Sequence, residues 1–190
     1  MAPESTPPPA FARAIAELRS VVPRPEIVVA DTRPPANLAP FAFALSGTVQ
    51  RAGEEVASGR LILLCDPAGH DAWAGTQRLV TYVTAEVEPD IATDPLLAAV
   101  AWSWLTDALE SHDAAYRAPG GTVTTTTSTR FGDLAGGANT ADVEIRASWS
   151  PVDDRFAAHM RAWYALLSSA AGLPPPGVTA LTSRGATHGG

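Results

Sequence analysis

Four side chains with chemical potential fall within eight positions: Asp66, His70, Asp71 and Trp73, in the stretch Asp66-Pro-Ala-Gly-His-Asp-Ala-Trp-Ala-Gly75. A carboxylate beside an imidazole is the raw material of general acid-base work. A ten-residue loop built from turn formers lies at the surface, where binding groups usually sit. Arg78 follows at the head of the next strand. The plainer reading is favoured: Asp66-Pro67 and Gly69 make turns, Trp73 caps the core edge, and His70 is solvated. One His and two Asp without ordered spacing do not make a metal set, and no cofactor is implied.

Other groups invite a similar weighing. Cys65 with His70 has the makings of a nucleophile and its base, yet a single Cys that ends an apolar strand reads first as a small core residue. Glu86, Glu88 and Asp90, with Asp94 further on, collect negative charge near the start of a helix. Carboxylates so placed could hold a cation or move protons, but dipole stabilisation of the helix start explains them as well. Arg60, Arg78 and Arg146 stand at strand positions from which they could line one sheet face and receive an anion, with separate surface ion pairs as the alternative.

Composition bounds these readings. A chain of 190 residues, 46% hydrophobic, with five Trp and five Phe, can bury one substantial core. The formal charge of -7 makes the average surface repel phosphate backbones, so nucleic acid is not expected as a partner. All 13 basic residues are Arg, which removes Schiff-base and phosphate-loop chemistry that requires Lys. A lone cysteine excludes an internal disulfide framework. Without an apolar run long enough to span a bilayer, and with Met-Ala-Pro-Glu-Ser-Thr-Pro-Pro-Pro at the N-terminus, the expectation is a cytoplasmic protein with no membrane association.

The elements that must position these groups follow from periodicity. The pattern predicts a disordered tail over 1–8, one domain over 9–176 and a second tail over 177–190. Helix spacing appears from Pro9 to Ser20, and strands are expected at 26–30, 41–49, 56–64 and 78–87, the second and third joined by a turn at 50–54. Asp94 as N-cap and Pro95 at the first position open a long helix to His112 that the rest of the chain is expected to pack against. Leu97, Val100, Ala101, Trp104, Leu105 and Ala108 share one face of it. Trp102 and Trp104 lie about 160° apart on the wheel, so they cannot both enter one core. Trp102 therefore packs under a neighbouring strand or takes part in an interface.

Beyond that helix, Pro119-Gly-Gly121 reads as a turn. The Thr-rich run to Thr129 suits an edge strand, and Ala141 to Trp149 alternates as a strand with one wet face. Ser150 and Pro151 read as the cap and first position of a last helix, with Phe156, Met160, Trp163, Leu167 and Ala170 as its stripe. Gly172 stops it and Leu173 folds back. The order implies an α+β fold, a mostly antiparallel sheet of about six strands with two or three helices packed on one face.

The segments Arg24-Pro-Glu26, Leu38 to Leu45, Gly59 to Leu64 with Asp66-Pro67, Ala72-Trp-Ala-Gly-Thr76, Arg78 to Val83, Asp94-Pro-Leu-Leu97, Trp102-Ser-Trp-Leu105, Phe131-Gly132, Glu144 to Trp149 and Ala171-Gly-Leu-Pro-Pro175 carry a resemblance. Through them the chain resembles the actinobacterial family of uncharacterised proteins called domain of unknown function 3000. Ala101 stands where the family leads one to expect Gly, and Cys65 where a variable residue is expected, which weakens a catalytic Cys65. The resemblance implies no activity.

Two functions therefore stand side by side. The first is a non-catalytic protein-interaction or regulatory module, binding a protein partner or a second copy of itself through its sheet or the Trp102 edge. The second is a small-molecule-binding protein or enzyme that uses the loop and strand at 66–78, with Asp66, His70, Asp71, Trp73 and Arg78 as the residues at stake, Trp102 belonging to the first.

Overall fold

The computed structural model describes residues 6–175; residues 1–5 and 176–190, which hold most of the two expected tails, lie outside the described residues. Residues 6–8 lead into the first helix, where the Pro8 carbonyl accepts from the amides of Phe11 and Ala12.

In chain order the elements are α1 (Pro9–Ser20), β1 (Ile27–Thr32), β2 (Phe41–Arg51), β3 (Glu54–His70), β4 (Gly75–Val87), the one-turn α2 (Pro89–Ala92), α3 (Leu97–Ser111), β5 (Tyr116–Ser128), β6 (Thr140–Pro151) and α4 (Phe156–Ala170). The six strands form one antiparallel sheet in the order β1-β2-β3-β4-β6-β5. This is the expected α+β architecture, with the Thr-rich strand at an edge.

Alternation sorts each strand's side chains to two faces. Leu45, Val49, Leu61, Leu63, Leu79, Val83, Ile145 and Trp149 join Phe11, Leu18, Leu105, Leu109, Phe156 and Trp163 of the helices in the main core. The opposite face carries a smaller cluster, Ala44, Ile62 and Leu64 with Ala39, Ala42, Trp73 and Val80 against it, to which no residue of α1, α2, α3 or α4 belongs. We call it the open face.

The helix at the centre of the covered face is α4, and this corrects the expectation that the helix beginning near Asp94 organises the chain. α4 touches β3, β4 and β6 below and has α1 on one side and α3 on the other. Gly47 of β2 and Gly59 of β3 form its seat: a Cβ on them would come within 2.8 Å of Trp163 Cη2 and 2.9 Å of Leu167 Cδ2. The Trp163 indole N–H donates to Thr81 Oγ1 at 2.9 Å, and that hydroxyl donates to the Arg60 carbonyl, so these two buried polar groups beneath α4 are satisfied. Leu173 N–H bonds to the Ser168 carbonyl and Gly172 N–H to that of Ser169, with Gly172 at φ +62°, closing the helix as expected.

Several boundaries differ from the sequence reading. The expected loop at 66–75 is mostly strand: β3 runs to His70, β4 begins at Gly75, and only a 3-10 turn at Asp71–Trp73 and left-handed Ala74 join them. The turn formers there make an irregularity in the ladder between Cys65 and His70, with Gly69 at φ +81°. Pro119-Gly-Gly121 is likewise a register shift within β5 rather than a turn. Ser150 does not cap α4, because its hydroxyl accepts from Arg78 and Pro151 still pairs with Tyr116; the helix starts only at Phe156. Asp94 caps a turn ahead of α3, accepting from the Leu96 amide at 2.8 Å, and the helix proper opens at Leu97.

A cleft beside Trp104 as the candidate functional site

The residues of the 66–78 region do not converge on one cavity. Asp66 accepts from the Ala68 amide at 3.0 Å, which makes it a turn former. Exposed His70 stacks on half-buried Trp73 with ring centroids 4.9 Å apart and planes 18° from parallel. Asp71 is exposed at the start of the 3-10 turn. Arg78 turns away toward β6, its Nη2 donating to Ser148 Oγ at 2.8 Å and its Nη1 to Ser150 Oγ at 3.1 Å. Cys65 faces the main core, where burial pushes its thiol up, with the adjacent Asp66 charge adding to the shift. A thiol so placed is a packing group rather than a nucleophile.

Trp102 lies on the covered side of the sheet, half-buried. Its Cζ3 sits 2.9 Å from where a Cβ on Gly121 would be, and that Cβ would also collide with the Arg146 carbonyl at 2.2 Å. Only glycine lets the indole tuck under β5 at this point. Trp104, on the other flank of α3, takes a separate course, as their separation on the wheel requires.

Trp104 opens into a cleft of about 380 Å³ between the end of β4, α2, the start of α3 and the end of α4. Val87, Ile91, Leu97, Val100 and Trp104 supply an apolar lining; Glu86, Glu88, Asp94 and Arg51 stand around it. Ile91 is 48% exposed, Val100 46% and neighbouring Leu96 64%, so the apolar surface extends beyond the cavity mouth. Val100 and Trp104 belong by sequence to the buried stripe of this helix, and the acids to a cluster at the helix start. Sequence alone misses that they meet. The available signal was that the stripe on α3 is broader than a helix at the margin of a sheet can bury.

Three carboxylates against one guanidinium give this cleft a negative rim. Arg51 is partly engaged, its Nη1 donating to the Ala171 carbonyl at 3.5 Å. Among the described residues no group of three or more His, Cys, Asp or Glu is placed to hold a metal ion. The lining suits recognition: an apolar body desolvated against Trp104 and Leu97, and positive charge met by Glu86 and Glu88.

His159, which the sequence reading did not single out, is wholly buried on α4. The Trp149 indole donates to its Nδ1 at 3.1 Å, which places the ring proton on Nε2, a buried atom without a partner among the described residues. Burial, the dominant influence, holds its pKa down at about 4. It is a neutral structural histidine, remote from acid-base work at neutral pH.

No helix among the described residues is long and apolar enough to cross a membrane. No curated protein and no solved structure matches the chain. The family model described as protein of unknown function (DUF3000) matches residues 7–179, a span that contains the whole sheet, its helices and the cleft, and the chain belongs to that family.

Proposed function

We propose that this chain is a cytoplasmic, non-catalytic protein-interaction module, and that the cleft beside Trp104 is its docking site. The observation that supports this reading is a preformed apolar cavity with exposed Ile91, Leu96 and Val100 around its mouth and an acidic rim. Contiguous apolar surface bordered by polar groups is a mark of binding sites, and an indole in a pocket is a common anchor. The rim sets the partner's chemistry: an apolar side chain flanked by Arg or Lys, since carboxylates attract such a segment and repel an acidic one. A second copy of this chain fits poorly, because a two-fold contact would set two acidic rims against each other.

Selection of random displayed peptides on the purified chain tests the reading. The expected winners pair an apolar residue with basic ones, weaken as salt rises, and lose about tenfold or more in affinity against Trp104→Ala, the scale of a modest hot spot. Winners that bind Trp104→Ala as tightly as the unaltered chain, or a selection that enriches nothing, would count against it.

A further inference from the structure

From the open face we infer that the sheet is also a receptor for a small organic oxyanion, a carboxylate or phosphate ester, whose charged group is held by Arg78 and Arg117 and whose apolar body lies in the adjoining groove. This site is separate from the cleft beside Trp104 and does not depend on it. Its starting point is a charge without a partner. Arg78 is only 8% exposed, yet the described ion pairs are Arg19–Asp31, Arg24–Glu26, Arg146–Glu144 and Arg155–Asp153. Two serine hydroxyls and the Ser148 carbonyl accept from its guanidinium, but none of them neutralises it. Burial lowers the Arg78 pKa, while an arginine guanidinium keeps its charge in proteins as a rule. Buried charges in folded proteins are normally paired, so one left without a carboxylate is poised for an anion from outside.

The surroundings fit that anion. Arg78 pairs with Leu64 on β3 and bonds to Ser150 on β6, and Ser150 pairs in turn with Arg117 on β5, so both arginines stand in one row of the sheet. Arg117 is exposed and outside the described ion pairs; its Nη2 lies over Gly75, 3.0 Å from where a Cβ there would stand. One row further along is a groove of about 480 Å³ floored by Ile62 and Val80, with Tyr82 and Arg146 on one side and the glycines at 120 and 121 on the other. Among the described residues its only charged lining residue is Arg146, which pairs with Glu144 at 2.8 Å. Ser148 belongs to both parts: it lines the groove, and since its oxygen accepts from Arg78, its own proton is left to donate to a bound oxyanion. The groove is the size of a single-ring ligand.

The probes are phenyl phosphate, benzoate and inorganic phosphate, titrated into the full chain by calorimetry and by NMR. Saturable binding of phenyl phosphate or benzoate that Arg117→Ala weakens by about tenfold, with the melting temperature unchanged, is the expected result. Whichever of the two binds tighter identifies the oxyanion, and inorganic phosphate binding more weakly than phenyl phosphate shows the groove in use. Arg78→Lys, which keeps the charge and loses the fork, should weaken binding as well; should that variant not fold, Arg117→Ala alone decides. The inference is overturned by an absence of saturable binding for all three probes at millimolar concentration, or by binding that Arg117→Ala leaves intact. Trp104→Ala should bind these probes normally, which keeps this result distinct from that for the cleft.

Discussion

α3 and α4 are each 15 residues long and comparably apolar, yet α4 buries ten of its residues and α3 only five. Propensity does not separate them; place does. α4 has sheet beneath it and a helix on either side, so even His159 is enclosed, whereas α3 has α4 on one side and mainly β5 and β6 beneath. An amphipathic stripe broad enough for a central helix has been set at the margin, and the part left over, Val100 and Trp104, borders the cleft. The lesson is that an apolar face shows that a helix wants a partner, and only the tertiary arrangement shows whether the same chain supplies all of it.

Substitution should widen that contrast. Trp163→Ala removes the indole at the centre of α4 and the donor to Thr81 Oγ1, so urea unfolding should report a loss of about 3–5 kcal/mol. A loss under about 1 kcal/mol would mean that α4 is not the keystone. His159 gives the next largest effect. Its folded value of about 4 lies below the ordinary 6.5, so in that interval the unfolded chain takes up a proton that the folded chain refuses. This contribution to stability is whole above pH 6.5 and is lost progressively as pH falls to about 4, on the order of 3 kcal/mol in all. His159→Asn, which cannot titrate but keeps an acceptor for the Trp149 indole, should lose that slope; an unchanged slope would assign it to other groups. At the small end, Val100→Ser and Leu96→Ser on the margin of α3 should change stability by no more than about 0.5 kcal/mol, while weakening any peptide selected on the cleft. A stability loss like that of Trp163→Ala would erase the distinction between the two helices.

Much of the fold was legible because its signals are local. Period-two alternation marks β2, β4 and β6, and Gly172 with Leu173 closes α4 through two backbone bonds. The failures are places where a distant partner outbids a local preference. Ser150 has the chemistry of a cap but is held by Arg78 from another strand, and the turn formers after Cys65 are drawn into a ladder that ends with His70 opposite Gly75. The site was legible only in fragments. Glu86, Glu88, Asp94 and Trp104 were each noted in the sequence, but their meeting depends on how α3 lies against the end of α4. His159 left no trace, since nothing local distinguishes a histidine bound for the interior from one on the surface.

The five tryptophans allow the central claim to be tested with one spectrum. With 5-fluorotryptophan incorporated throughout, the account predicts that a basic, apolar peptide selected on this chain shifts the fluorine signal of Trp104 while those of buried Trp149 and Trp163 stay in place. A peptide that moves Trp73 or Trp102 and leaves Trp104 untouched would contradict it, because the docking surface would then lie elsewhere.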